Sequence, residues 1–368
     1  MSEKERLFFE LVRVAIGKSA TLSKRLSEKE WEAMLAIADK QTVVGFVLVA
    51  LERLNEQGIK PPTEILLEWI GLAENIRQQN NLVCKRCQEI EKIYNEGGFR
   101  CCILKGQGTA LYYNNPESRQ SGDIDLWIKG HTESTDIVRA KALQFAKEKG
   151  CHIGHVDIKH SDIDFFEDVP VEVHFLPSWL FNPFKNKRLQ VYFGGKAKEQ
   201  FLNYDKAAGF THTTVDFDVV FSLVHIYRHV FDEGIGLRQL LDYYHILLHT
   251  TQKQREDAFE VLKKLGMRKF AGGVMYVMRE CFAMYQEYYL CPVNERHGQL
   301  LRKEMLIAGN FGQYDNRIQL NGKDDRFSNG FIQLRRNLRF LCYYPSEVLW
   351  SPVWKLWHWG WRKWKGYL

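Results

Sequence analysis

The chain has 368 residues, enough for two or three domains and a sizeable buried core. At 45% hydrophobic and 26% charged, with no low-complexity stretch and no short internal repeat, its composition is that of a globular protein and argues against a disordered or repetitive chain. The net charge of +6 suits a phosphate-bearing ligand but falls short of the strong basic footprint of a dedicated nucleic-acid binder.

Residues 1–95 read as helices. The chain opens Met1-Ser2-Glu3-Lys4-Glu5-Arg6 with no apolar stretch, so no secretory signal is expected. No window approaches about 18 uncharged apolar residues, so no membrane span is expected and the cytosol is the expected compartment. Leu7, Leu11 and Val14 make one helical face, and Ser27 with Glu30 forms a capping box ahead of Trp31 and Leu35. Pro61-Pro62-Thr63 precedes a longer helix through Leu82 and Ile90, which Gly97-Gly98 should end. Cys84 and Cys87 are spaced as a Cys-x-x-Cys pair, but no second pair completes a zinc site, and two half-buried thiols are the plainer reading.

The pattern then changes to short strands. Arg100–Leu104 reads as a strand ending in Lys105-Gly106, followed by one or two helical turns at 108–113 that Asn114-Asn115-Pro116 stops. Asp123–Ile128 reads as a second strand and 133–149 as an amphipathic helix. Two more strands are expected at about 155–166 and 169–176, divided by Glu167-Asp168.

Chemistry concentrates on these strands. A period of two sends Asp123 and Asp125 to the same side, their backbones about 6.5–7 Å apart, which lets both carboxylates reach shared hard cations. A strand–Gly–helix step presents free N–H groups at the helix start and suits a polyphosphate, with Lys105 adding a point charge. In Val171-Glu172-Val173-His174 the same alternation puts Glu172 beside His174, where a carboxylate completes a metal site and accepts a proton from a hydroxyl. Ser161-Asp162-Ile163-Asp164 copies the Asp-Ile-Asp pattern, yet lacks the strand–Gly–helix before it and reads as a solvated strand face.

The stretch Leu104-Lys105-Gly106, then Arg119 through Asp123-Ile124-Asp125-Leu126, then Glu172-x-His174 resembles the nucleotidyltransferase superfamily that includes DNA polymerase β and the aminoglycoside nucleotidyltransferases. It is most similar to the bacterial uncharacterised nucleotidyltransferase family, a relative of the nucleotidyltransferase toxins of abortive-infection systems. The resemblance implies an α+β fold: a polymerase-β-like core, a small mixed sheet with helices, flanked by N- and C-terminal helical regions. It implies that Asp123, Asp125 and Glu172 are the catalytic carboxylates and hold Mg²⁺ or Mn²⁺, and that Lys105, Gly106, Gln107 and Arg119 bind the nucleotide. Gly106-Gln107 stands where the superfamily has Gly-Ser, so the phosphate-touching serine is absent and Lys105 or the Gln107 side chain would take its place. The implied reaction, of the EC 2.7.7 type, moves a nucleoside monophosphate from ATP or another NTP to an acceptor hydroxyl on RNA, protein or a small molecule, releasing pyrophosphate. Two other readings stand beside it: a non-catalytic nucleotide-binding or scaffold protein, and a metal-dependent glycosyltransferase, which also uses Asp-x-Asp.

Downstream the pattern is helical again from about 206, giving expected units at 1–95, 96–205, 206–310 and 311–368. Helical spacing pairs His225 with His229 and Arg238 with Asp242. The resemblance suggests that these four, with His174, line the cleft; a zinc site is disfavoured because no His-Glu-x-x-His motif is present. Six of the ten tryptophans fall in the last 19 residues, and Trp350, Trp354, Trp357, Trp361 and Trp364 make one stripe if the segment is helical despite Pro352 and Gly360. Such a stripe, with Lys355, Arg362 and Lys365 off it, could meet a membrane interface or stack on bases; docking onto the protein itself is the favoured reading.

Overall fold

The structure is a computed structural model that describes residues 2–130, 132–315, 317 and 326–367. The amino-terminal quarter is helical: α1 (Glu3–Ala15), α2 (Glu28–Lys40), α3 (Val44–Asn55) and α4 (Thr63–Glu96). Ser27 and Glu30 do form a capping box at the start of α2, satisfying N–H groups that the first helical turn leaves unpaired. Helix α4, 34 residues long, spans about 50 Å at 1.5 Å per residue. The turn after it needs Gly98, whose φ is +80°. Cys87 is buried and Cys84 half-buried on this helix; among the described residues neither belongs to a potential metal-ligating group.

A five-stranded mixed sheet follows. Its strands are β1 (Arg100–Ile103), β2 (Ile124–Lys129), β3 (His152–Val156), β4 (His160–Asp164) and β5 (Val171–His174), in the spatial order β1-β2-β5-β4-β3. β2 and β5 run parallel, and the remaining neighbours are antiparallel. The short α5 (Gln107–Ala110) and α6 (Thr135–Glu148) lie between strands. The strand expected at 155–166 is in fact the β3–β4 hairpin. Its turn is built by the Asp157 carboxylate, which accepts from the backbone N–H groups of Lys159 and His160. An Asx turn of this kind carries no Gly or Pro to announce it.

Alternation sorts the sheet's side chains by face. Ile124, Leu126, Ile128, Val171 and Val173 pack with Ile163 and with Ala142 of α6 in one core. Asp125, Glu172 and His174 therefore point the other way. Trp127 shares that second face and joins the main core against Phe201 and Phe217, with ring centroids at 4.7 and 5.8 Å.

Next comes α7 (Pro183–Gln200), a helix absent from the sequence reading. Its outer positions Phe184 and Val191 are about 70% exposed, so the apolar residues do not gather on one face and the helical period is blurred. A small hairpin, β6 (Tyr204–Asp205) and β7 (Phe210–Thr211), leads into α8 (Val215–Asp232), α9 (Leu237–Leu248), α10 (Gln252–Lys264), α11 (Arg268–Phe282) and α12 (Glu295–Ala308). The last elements are α13 (Arg326–Leu338) and α14 (Pro345–Lys365); residues 318–325 of the expected tail lie outside the described residues.

Helix α14 runs through both Pro352 and Gly360. It docks by Glu347, which is buried and accepts from the Phe181 backbone N–H at 2.9 Å, and by Trp354, 5.3 Å from the Phe181 ring. Trp361 lies over the Arg139 guanidinium. Trp357 and Trp364, on the same stripe, stay 47% and 79% exposed. Among the described residues no helix is long and apolar enough to cross a membrane.

Candidate active site

The parallel pairing of β2 with β5 sets Asp125 directly beside Glu172, and Asp123 lies just before β2. One carboxylate oxygen from each of Asp123, Asp125 and Glu172 lies within 4.8 Å of the others. Asp125 is 1% exposed, and its two oxygens face different partners: Oδ2 lies 3.0 Å from Lys105 Nζ and Oδ1 lies 2.9 Å from His174 Nε2. The same His174 nitrogen is 3.2 Å from Glu172 Oε2.

The electrostatics follow from this packing. Burial and the neighbouring Asp123 push the Asp125 carboxyl up, against the pull of Lys105 and His174. Burial opposes ionisation of Glu172 as well, but the His174 hydrogen bond and the charges of His160 and Lys105 outweigh it and hold the group well below the usual carboxylate range. His174 shows the mirror effect: desolvation lowers it, yet bonds to Asp125 and Glu172 raise it to about 9. Lys105 is likewise held charged, since Asp125, Asp123 and Glu172 overcome its desolvation. Two cations thus offset three crowded carboxylates.

Lys105 arrives at the end of β1. Gly106 follows with φ +63°, and a Cβ there would sit 3.6 Å from the Asp123 carbonyl. The left-handed backbone, rather than lack of space, calls for glycine. Gln107 does not face the carboxylates: its Nε2 donates to the Asn80 backbone and side-chain oxygens, both at 2.8 Å. That contact ties α5 to α4.

A cleft of about 850 Å³ opens over the sheet face, with Lys105, Asp125 and Glu172 on its floor. Its opposite wall is α8, where His225, Arg228, His229 and Asp232 share one face by helical spacing. His225 and His229 approach to 2.9 Å between their Nε2 atoms, and burial together with Lys105 and His229 holds His225 far below its ordinary pKa.

A narrower recess adjoins the cleft, lined by Gly106, Arg119, Asp123, Arg238 and Asp242 among others. Here the expected pairing is rearranged. Asp242 accepts two bonds from Arg119, at 2.8 and 2.9 Å, and one from the Tyr113 hydroxyl at 2.6 Å. Arg238 instead donates to the Gln120 carbonyl at 2.8 Å. Among the described residues the third Arg119 nitrogen, Nη1, is buried without a hydrogen-bond partner, on the wall it shares with Asp123.

The structure also brings in residues that the sequence reading set aside. Asp162 is the cross-strand neighbour of Glu172, and His160 is opposite His174. The copied Asp-Ile-Asp segment is a strand whose two aspartates are solvated, as expected, at 48% and 67% exposure, yet it is also the strand next to the site. Strand alternation places His160 and Asp162 on one side just as it does Glu172 and His174, but only the pairing of β4 with β5 shows that the two sides coincide. Arg228 and Asp232, ion-paired at 2.5 Å, were legible as a continuation of the His225/His229 face.

No curated protein matches the chain. A family model described as "Uncharacterised nucleotidyltransferase" matches residues 27–283, from α2 through the whole five-stranded sheet and α8 to the end of α11. The chain belongs to this uncharacterised nucleotidyltransferase family.

Proposed function

We propose that the protein transfers a nucleoside monophosphate from an NTP to an acceptor hydroxyl in a Mg²⁺- or Mn²⁺-dependent reaction, with pyrophosphate leaving. The observation that carries this reading is the convergence of Asp123, Asp125 and Glu172 on one face of a parallel strand pair, beneath a cleft large enough for a nucleotide. Three carboxylate oxygens are the hard donor set that Mg²⁺ and Mn²⁺ prefer, so the residues fit the ion. These three would hold the metal, which when bound supplies charge to the attacking and leaving oxygens of an in-line displacement.

The remaining work belongs to the chain. Lys105 places a fixed cation beside the triad, where the triphosphate must enter. Arg119, anchored at two points by Asp242, has its third nitrogen left to meet an anionic oxygen. Glu172 stays ionised, so it serves first as a ligand. It takes the hydroxyl proton only as the new P–O bond makes that proton acidic. His225 and His229 line the facing wall, against base or acceptor.

The test is incubation of the purified protein with each α-³²P-labelled NTP and Mg²⁺ or Mn²⁺, offering RNA, total protein and small-molecule extracts as acceptors. Label moved by the wild type and not by Asp123→Asn supports the reading. Equal labelling by both, or absence of metal-dependent NTP binding, overturns it.

A further inference from the structure

Beside the all-carboxylate triad, the sheet assembles a second donor set of different chemistry. His160 on β4 lies opposite His174 on β5, and Asp162 lies opposite Glu172, so the four side chains share one sheet face. One ligand atom from each of His160, Glu172 and His174 lies within 4.8 Å of the others. All three line the same cleft, which gives an ion a way in.

The spacings allow one ion to take the place of the proton that His174 shares with the carboxylates. Donors about 2.1 Å from a six-coordinate ion stand about 3.0 Å apart when adjacent and about 4.2 Å apart when opposite. His174 Nε2 lies 2.9 Å from Asp125 Oδ1 and 3.2 Å from Glu172 Oε2, and His160 Nδ1 lies 3.8 Å from Glu172 Oε2. His160 Nδ1 is shielded from solvent yet has no hydrogen-bond partner among the described residues, an arrangement that calls for an explanation in a buried polar atom.

The far side of each ring adds an independent point. A metal-binding imidazole ordinarily has a carbonyl or carboxylate next to its other nitrogen, which fixes the ring and its tautomer. His174 Nδ1 lies 3.4 Å from the Leu176 carbonyl, and His160 Nε2 lies 3.7 Å from Asp162 Oδ1. Each ring thus turns one nitrogen toward Glu172 and keeps an oxygen near the other.

We infer that His160, Glu172 and His174 form a binding site for a first-row divalent transition ion, adjoining the Asp123–Asp125–Glu172 triad and sharing Glu172 with it. Two imidazoles and a carboxylate favour Mn²⁺, Co²⁺ or Zn²⁺ over Mg²⁺, whereas three carboxylates do not make that distinction as strongly. The protein therefore offers two unlike ion positions side by side. The site adjoins the proposed transfer centre but does not depend on that reaction, since it is read from metal binding alone.

The experiment titrates chelator-treated full-length protein with Co²⁺, followed by its visible absorption, and records the Mn²⁺ electron spin echo of the wild type. Imidazole ¹⁴N modulation in the wild-type Mn²⁺ signal is expected, as is Co²⁺ affinity at least tenfold lower in His160→Asn and in His174→Asn. Asp123→Asn should keep its Co²⁺ affinity within threefold. Absence of the nitrogen modulation overturns the assignment without recourse to any variant. So does Co²⁺ affinity unchanged in folded His160→Asn, or lost equally in folded Asp123→Asn. Co²⁺ bound through His160 in a protein that moves no nucleotide would leave this site standing and remove only the transfer reading.

Discussion

Arg119 and Asp242, 123 positions apart in the chain, close a two-point ion pair with N–O distances of 2.8 and 2.9 Å. The pair fastens the segment that leads into Asp123 onto helix α9, so the carboxylate triad and the cleft wall are held as one unit. Burial alone would raise the Asp242 carboxyl, and the Arg119 guanidinium pulls it below its ordinary value.

Asp242→Ala should therefore destabilise the fold by about 3–5 kcal/mol, because it leaves a guanidinium buried without its counter-charge. Removing both charges in Arg119→Met/Asp242→Leu should recover most of that loss, since an apolar pair of similar volume avoids desolvation altogether. Urea unfolding of the two variants decides it: an Asp242→Ala loss under 1 kcal/mol would mean that the pair braces nothing.

The sequence read Asp242 with Arg238, four residues before it, because helical periodicity exposes only local neighbours. The true partner comes from another element, and no pattern within α9 announces it. The same limit explains Asp162. What precedes its segment in the chain says nothing of its place beside the site, which depends on the register of β4 against β5. What period-two alternation does determine was legible: Asp123 and Asp125 together, Glu172 with His174, and the apolar anchors turned to the opposite face. The β3–β4 turn escaped because an Asp side chain builds it, and α7 because its apolar residues sit on both faces.

The two Asp-Ile-Asp segments should separate sharply under substitution. Asp125 is buried between Lys105 and His174, while Asp164 is 67% exposed and pairs with His152. Asp125→Asn should reduce nucleotide transfer at least about 100-fold, the scale on which removal of one electrostatic group at a reacting centre acts. Asp164→Asn should stay within about twofold, as surface changes away from a site do. Rates measured with the acceptor that takes label test both; comparable losses in the two variants would place the reacting centre elsewhere on the sheet.

Asp218 supplies a pH dependence away from the carboxylate triad. It is buried on α8 and accepts bonds from the Thr213 and Tyr112 hydroxyls. Burial raises its carboxyl from its ordinary 3.8 to about 7, against those two hydrogen bonds. A carboxyl whose folded pKa lies above its unfolded one binds its proton more tightly in the folded state. Its contribution is complete below about pH 4 and is lost as pH rises through 7, by at most about 4 kcal/mol for a rise of that size. Asp218→Asn should remove this slope, so that the variant gains on the wild type between pH 5 and 8. Parallel stability curves in urea over that range would show that the group is ionised throughout.

The carboxy-terminal tryptophans divide by what each ring touches, although they share one helical stripe. Trp354 packs against the main core, with Phe181 at 5.3 Å and the His358 ring stacked at 4.7 Å. Trp364 is 79% exposed, with the Lys365 ammonium 4.8 Å from its ring. Truncating a fully buried aromatic costs about 3–5 kcal/mol, so half-buried Trp354→Ala should lose about 2 kcal/mol. Trp364→Ala should fall within about 0.5 kcal/mol, because water already covers the surface it would expose. Chemical unfolding of both variants, with intrinsic fluorescence assigning the lost signal, distinguishes a docked helix from a loose one. If α14 only grazed the body of the protein, Trp354→Ala would be as silent as Trp364→Ala, and the buried Glu347 bond to the Phe181 backbone would have no helix to hold.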